Sequence, residues 1–428
     1  MTYKCKDRIY PMKNNILKEN KQKIKDLSMS ITAIAVMNIV IQFVMYPFLE
    51  RNLGVEKYGV TLSVISVIAI LAGTLGTSAN YSRMVTSMHE DIHYTNGDYN
   101  IILLVLSALC GVGSIFYLKY LGIATPITSV LIVILMILTA FRYYSDVQYK
   151  MSGNFFRYML FYISVAVGYI IGILVYRLYG EWMLALIVGE LTSFIFAIFS
   201  GTIYRKDILR PSKDFMPVCQ SMGFLLLSTL IENLTLNADR LVLMVFAGGG
   251  AVTVYYVASL LGKVIAMLST PINSLIISNL LKYKGGLTKK MWTVATLGVS
   301  ALGLCAFIGC TIVSPLLNLL YPDLKGEVER YIAPSIIGQI FYFISGILLV
   351  ILLKFRGEKN QFLFNLAYVI EFFAIVILGT YLGGLDGFVY SALAANAIRF
   401  IAVIIWGFIP SKKKVPQELN SELQVDKK

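Results

Sequence analysis

Residues 221–246, SMGFLLLSTLIENLTLNADRLVLMVF, are long enough to cross a bilayer, yet they carry Glu232, Asn233, Asn237, Asp239 and Arg240 in their middle. At about 100° per residue these five, with Ser228, Thr229 and Thr235, fall on one broad arc of a helix. Leu227, Leu230, Ile231, Leu234, Ala238 and Leu241 hold the opposite arc without a polar interruption, and only Leu225, Leu226 and Leu236 intrude on the polar side. An ionised side chain at mid-bilayer costs roughly 2.5–3.5 kcal/mol on insertion scales, so such groups face partners or water. A charge pair knitting helices together would account for two of these residues. Eight on one arc predict a helix that lines a polar passage.

The rest of the chain is built for lipid. Its 428 residues are 57% hydrophobic and 14% charged, with a mean hydropathy of +0.73, which excludes an ordinary soluble domain. Apolar runs recur at the length that spans ~30 Å of hydrocarbon. They predict twelve spans, over residues 28–49, 59–81, 100–118, 126–144, 156–176 and 182–203, then 219–246, 252–280, 291–316, 331–353, 362–382 and 386–409. The expected fold class is all-α and polytopic, about twelve transmembrane helices in two halves of six. A basic tail (1–27) precedes the first lobe (28–203), a basic linker (204–217) the second (218–409), and a further tail (410–428) ends the chain. Six spans per lobe give both lobes one orientation, hence a parallel pseudo-repeat. The start has no apolar core or cleavage signal of a secretory leader. Five cysteines at unpaired spacings give no disulfide framework.

Lys and Arg set the expected orientation. Of 37, 28 fall on the side that holds both tails and the alternate links, six fall opposite (Arg51, Lys57, Lys119, Arg177, Lys325 and Arg330), and Arg240, Lys263 and Arg399 lie inside spans. Both termini are therefore expected in the cytoplasm. The net charge of +13 reads as anchorage on anionic membrane lipids, not as a nucleic-acid surface.

Two kinds of chemistry can be set aside. His89-Glu90-Asp91-Ile92-His93 fits HExxH, in which two histidines one turn apart hold zinc. It lies in a short polar link, no third histidine exists, and Asp386, the other motif residue of an intramembrane metalloprotease, is expected on the opposite face. HEDIH is read as a chance match. No GxxxxGK[ST] occurs, since Gly54–Gly59 is followed by Val60, so any energy input comes from a gradient or a partner.

What remains is ionisable groups at membrane depth. Lys263 shares a stripe with Tyr256, Ser259, Thr270 and Ser274; Arg399 lies near Asn396, Glu371 one turn after Tyr368, and Glu190 mid-span in the sixth run. Asn38 and Gln42 are i,i+4 neighbours in the first span, where Pro47 should bend the helix. Ser66, Gly73, Thr77 and Asn80 share a face that leads to Arg83. Each alone is as readily a paired structural charge; together they read as a lined cavity. Gly168/Gly172 and Gly379/Gly383 are read as close helix packing.

Residues 51–59 (RNLGVEKYG), 237–259 (NADRLVLMVFAGGGAVTVYYVAS) and 382–400 (LGGLDGFVYSALAANAIRF) resemble Wzx-type lipid-linked oligosaccharide flippases of the multidrug/oligosaccharidyl-lipid/polysaccharide exporter superfamily. The resemblance implies two six-helix lobes around a central cavity, in a non-enzymatic transporter of the bacterial cytoplasmic membrane with no cofactor. It would move polyprenyl-pyrophosphate-linked oligosaccharide repeat units by alternating access for capsule, O-antigen or exopolysaccharide assembly, beside a polymerase and other assembly proteins. Under that reading Arg83, Arg240, Lys263 and Arg399 receive the pyrophosphate, and Asn38 and Gln42 the sugars. A sodium ion or proton for coupling would use Glu232, Glu371 and Asp239. The alternative is a cation-coupled multidrug or metabolite exporter of the same superfamily. A polymerase would need a large outer loop, and the longest outer link has only about a dozen residues.

Overall fold

The computed structural model describes residue 25 and residues 28–88, 92–267, 272–273, 276, 280 and 285–409. Those residues form helices and turns, with no strand among them. Ten helices are long and apolar enough to cross a membrane, among the described residues. Two of the ten are double-length and broken by glycine, so they supply twelve passes. The chain is a multi-pass, all-helical membrane protein.

The first six helices are α1 (Ser28–Leu53), α2 (Val55–Thr86), α3 (Asn96–Tyr120), α4 (Pro126–Met151), α5 (Phe155–Tyr179) and α6 (Trp182–Ser200). The helix Phe215–Met267 follows, broken at Gly248 with φ 83°; its two parts are α7 and α8. Then come α9 (Lys289–Leu320) and α10 (Glu329–Arg356). The helix Glu358–Phe408 is broken at Gly383 and Gly384, giving α11 and α12. A φ of 83° is left-handed backbone that a Cβ would strain, so glycine at 248 is what lets one apolar run reverse into another. The predicted breaks between spans seven and eight and between eleven and twelve fall at these glycines.

Local chemistry sets the ends. Thr95 and Asp98 form a reciprocal capping box at the start of α3, with the Thr95 N–H donating to Asp98 Oδ2 at 2.7 Å. Thr125 and Thr128 do the same before Pro126, and Asn154 Oδ1 accepts from the Arg157 N–H at 3.1 Å. These caps satisfy amides that a helix start leaves without partners. In α1 the turns ahead of Pro47 wind as a π-helix, Val40–Met45. The proline has no N–H to give, and the wider turn absorbs its ring.

The chain divides into two compact units, Met1–Leu241 and Val242–Lys428. In the first, α5 packs along α6, and α4 packs against α2, α3 and α6. In the second, α10 packs along the α11–α12 pair and against α9. Its core centres on Trp292, fully buried among Leu348, Leu352 and Val403. The Trp292 indole N–H donates to the Ile404 carbonyl at 3.1 Å, so the ring fills its site without leaving a polar atom unmet.

Gly168 and Gly172 act as expected for close packing. A Cβ at Gly168 would lie 2.9 Å from the Gly189 Cα, and one at Gly172 would lie 3.0 Å from the Ala185 Cα. At Gly113 a Cβ would meet nothing within 4 Å. Gly172→Leu should therefore lose about 1–3 kcal/mol through overpacking, read as a lower midpoint of heat-induced aggregation in detergent, while Gly113→Leu should leave that midpoint unchanged or raised.

Candidate functional site

The polar arc of α7 divides its residues between two environments. Part of it forms a seam with α2 inside the first unit. Ser82 Oγ donates to Ser221 Oγ at 2.9 Å, Ser78 and Thr229 hydroxyls meet at 2.6 Å, Asn233 Nδ2 reaches Thr74 Oγ1 at 3.4 Å, and Arg240 Nη1 reaches Ser66 Oγ at 3.3 Å. The pairs ascend α2 while descending α7, as in two antiparallel helices. Small residues permit the approach: a Cβ at Gly73 would lie 3.2 Å from Asn233 Oδ1. Such hydroxyl and amide contacts between membrane helices contribute on the order of 0.6 kcal/mol each. Glu232, one residue from the seam, is exposed. Asp239 and Arg240 are buried, with the Arg240 backbone N–H donating to Asp239 Oδ1 at 2.9 Å.

Two further buried polar clusters occupy the first unit. Arg142 Nε meets Glu190 Oε2 at 2.6 Å, and Tyr169 Oη donates to Glu190 Oε1 at 2.8 Å. The Arg142 guanidinium also lies 4.2 Å from the centre of the Tyr143 ring. This corrects two expectations. Arg142, inside the predicted span 126–144 yet tallied among the 28 cytoplasmic-side cations, is carried by α4 into the buried interior, and Glu190, expected to help line a cavity, belongs to its ion pair. Asp146 is equally closed: it accepts from Asn80 Nδ2 at 2.5 Å and Tyr162 Oη at 2.8 Å, and pairs with Lys150 at 2.9 Å. Both carboxylates are thus neutralised and hydrogen-bonded, the condition under which buried charge persists.

Arg83 ends the polar face of α2 in a cage of tyrosines. It donates to Tyr144 Oη and, at 2.7 Å, to Asn96 Oδ1. Its guanidinium carbon lies 5.4, 5.7 and 5.8 Å from the ring centres of Tyr94, Tyr99 and Tyr144. These are cation–π distances, and no carboxylate pairs with Arg83 among the described residues. Asn38 Nδ2 turns back to its own helix, donating to the Ile34 carbonyl at 2.9 Å, while Gln42 is buried. His89, Glu90 and Asp91 lie outside the described residues; His93 is exposed, and its N–H donates to Asp214 Oδ2 at 2.8 Å.

In the second unit Arg399 is only 5% exposed. Its guanidinium rests 4.2 Å from the Tyr368 ring centre and 4.4 Å from that of Tyr342. Tyr368 Oη donates to Asn396 Oδ1 at 2.8 Å, which fixes the ring against α12. Arg399 Nε and Nη1 have no hydrogen-bond acceptor among the described residues, and neither has Glu371 Oε1 a donor. Glu371 is near enough to feel the Arg399 charge without forming an ion pair. Helices α10, α11 and α12 thus bring together two predicted residues, Arg399 and Glu371, with two aromatic walls. Tyr342 gives no signal in the sequence; Tyr368 is marked by its place one turn before Glu371. Lys263 on α8 is half-buried, 5.7 Å from the Tyr255 ring centre, and Tyr255 in turn packs on Phe388 of α12 at 4.7 Å. Thr270 and Ser274 lie outside the described residues.

No family model matches the chain, and no curated protein matches it in sequence. Solved structures do. An inward-facing multidrug resistance MATE family transporter of the MOP superfamily superposes with a TM-score of 0.62 at 13% identity, over 93% of this chain and all of that one. The lipid II flippase MurJ in an inward closed conformation gives 0.64 at 16%, over 88% and 87% of the two chains. The Vibrio cholerae MATE transporter VcmN in its bent form gives 0.56 at 14%, over 90% and 95%. The chain has the MATE and MurJ fold. The expected all-α, two-lobed fold class is therefore the observed one.

Within this fold the Arg142–Glu190 pair is structural. Removing one member, as in Arg142→Met or Glu190→Leu, should cost about 3–5 kcal/mol, and the two substitutions combined should recover most of it. Thermal midpoints of the three variants in detergent check this double-mutant cycle.

Proposed function

We propose that the chain is a flippase that carries polyprenyl-pyrophosphate-linked oligosaccharide repeat units across the bacterial cytoplasmic membrane by alternating access. The observation that carries the reading is Arg399. A guanidinium 5% exposed, walled by Tyr342 and Tyr368 and with two nitrogens lacking acceptors among the described residues, is a cation held ready for an anion. At about 4 Å and an effective dielectric constant near 20, one unit charge attracts another by about 4 kcal/mol, and charge-assisted donors to phosphate oxygens add to that. Fold likeness to the lipid II flippase MurJ fits a lipid-linked cargo. The charge ledger supports termini in the cytoplasm, so the cargo would be loaded from the inner leaflet.

In this reading Lys263, Arg240 and Arg83 assist the pyrophosphate, with Asn38 and Gln42 for the glycan. Coupling is assigned to sodium or a proton at Glu232, Glu371 and Asp239. Glu232 is exposed within a membrane-spanning helix, where an ionised carboxylate requires water or a bound cation. A cation-coupled multidrug or metabolite exporter is the second reading. It is favoured by the MATE likenesses and by Glu371 lying beside aromatic rings, which also suit cationic cargo.

Loss of the protein should leave lipid-linked intermediate at the inner leaflet. Arg399→Ala should reproduce that accumulation at least tenfold, and Arg399→Lys should relieve part of it. Intermediate at wild-type level in Arg399→Ala, together with lost drug resistance in the same strain, would select the exporter. Glu232→Gln and Glu371→Gln should each remove the dependence of transport on an imposed ion gradient while the protein stays folded and binds substrate. Unchanged gradient dependence in both would reject the coupling assignment.

A further inference from the structure

Inside the first unit, α3 and the start of α7 leave a crevice of about 300 Å³. Its walls include Ile101, Val105 and Leu106 on one side and Phe215, Met222 and Leu226 on the other. From Phe215 to Leu226 the α7 wall rises about 16 Å, half of a ~30 Å hydrocarbon core, while Ile101 to Leu106 on the α3 wall rise about 7.5 Å. A gap this size between apolar helices in a bilayer forfeits dispersion contacts unless a chain fills it.

The linker between α6 and α7 sits at the mouth. It leads into Phe215 directly, and the start of α3, which holds the other wall, also holds the linker. Asn96 Nδ2 donates to the Lys206 carbonyl at 2.9 Å and Asn100 Nδ2 to the Ile208 carbonyl at 3.1 Å. Thr95 Oγ1 donates to the Arg210 carbonyl at 2.6 Å, and Asp98 Oδ1 accepts from the Ser212 N–H at 2.6 Å. The linker backbone is thus strapped to α3, and Arg205, Lys206, Arg210 and Lys213 are exposed. Of the two acids among them, Asp214 faces the His93 backbone and Asp207 is exposed. Ile208 and Leu209, 43% and 61% exposed between the basic residues, form the apolar tip of an interfacial loop. A basic rim over an apolar slot matches one kind of molecule.

We infer that this crevice holds an acyl chain of a resident anionic phospholipid whose phosphate is received by the basic linker. The crevice lining shares no residue with the proposed cargo site, although Asn96 joins the linker to Arg83, and the inference does not depend on the cargo reading. Basic residues near a membrane surface favour anionic lipid cumulatively, so four of them should give phosphatidylglycerol at least about a tenfold preference over phosphatidylcholine.

Native mass spectrometry of the full chain, released from mixed phosphatidylglycerol and phosphatidylcholine micelles, tests this. Wild type should retain phosphatidylglycerol in about tenfold excess. Changing Arg205, Lys206, Arg210 and Lys213 together to Gln should bring that ratio to within twofold of unity. Gly223→Trp, at a position where a Cβ meets nothing within 4 Å, should fill the slot and lose one bound lipid of either headgroup. Monodisperse elution of both variants establishes that they fold. Equal retention of the two lipids by wild type, or unchanged counts in both variants, would overturn the inference. So would displacement of phosphatidylglycerol by a tenfold lower concentration of a polyprenyl phosphate, which would make the occupant an isoprenoid.

Discussion

A guanidinium in hydrocarbon must be matched, and the way each one is matched sorts the buried cations of this protein. Arg142 is matched completely: a carboxylate at 2.6 Å, a tyrosine on that carboxylate's other oxygen, and an aromatic face. Desolvating an ion costs several kcal/mol even after relaxation, and such a closed set of partners is what offsets it. Arg399 has aromatic faces and a distant acid, but two of its nitrogens lack acceptors among the described residues. Arg83 lies between these cases, with two side-chain acceptors and three rings but no acid among the described residues.

That gradation separates scaffold from site more sharply than depth does. Asp146 and Glu190 are both nearly inaccessible and both satisfied, so they hold α4 to α2, α5 and α6 without spare capacity for a ligand. An unmet donor at equal depth is costly to folding, and a chain tolerates that cost where a ligand, an ion or water completes the set. In the second unit the cost is shared by three helices: Tyr342 comes from α10, Tyr368 and Glu371 from α11, and Asn396 and Arg399 from α12. The Tyr368–Asn396 bond locks the wall before any ligand arrives, which limits the ordering a bound group must impose.

The twelve passes were legible because lipid enforces run length and excludes exposed backbone. The breaks were legible too: Gly248 and Gly384 stand where a run of lipid-spanning length ends. The role of the α7 arc was legible only by half. Helical periodicity gives the direction in which a side chain points but not what it meets there, so Thr229 and Asn233, which meet Ser78 and Thr74, read the same as Glu232. Of the α2 stripe Ser66, Gly73, Thr77 and Asn80, only Ser66 and Gly73 meet α7, whereas Asn80 turns to Asp146 on α4; periodicity shows the shared face but not this division. Arg142 stands two residues before the span end predicted at Tyr144 and so reads as a cytoplasmic-side cation, but the helix continues to Met151 and keeps it inside. Tyr342 could not be found at all, since one tyrosine among 27 carries no positional signal.

The glycines add a mechanical consequence. At Gly168, Gly172 and Gly76 a neighbouring helix lies where a Cβ would be, so α5 with α6 and α2 with α4 are joined at close range. Packed interiors do not deform continuously, and elements joined this closely move as bodies. Gly248, Gly357 and Gly384, by contrast, have left-handed backbone at helix junctions, and an added Cβ at Gly384 would meet nothing within 4 Å. Gly357 joins α10 to α11 and Gly384 joins α11 to α12, the helices that carry Tyr342, Tyr368 and Arg399, so backbone rotation at these two junctions is what would change how the aromatic wall presents the guanidinium.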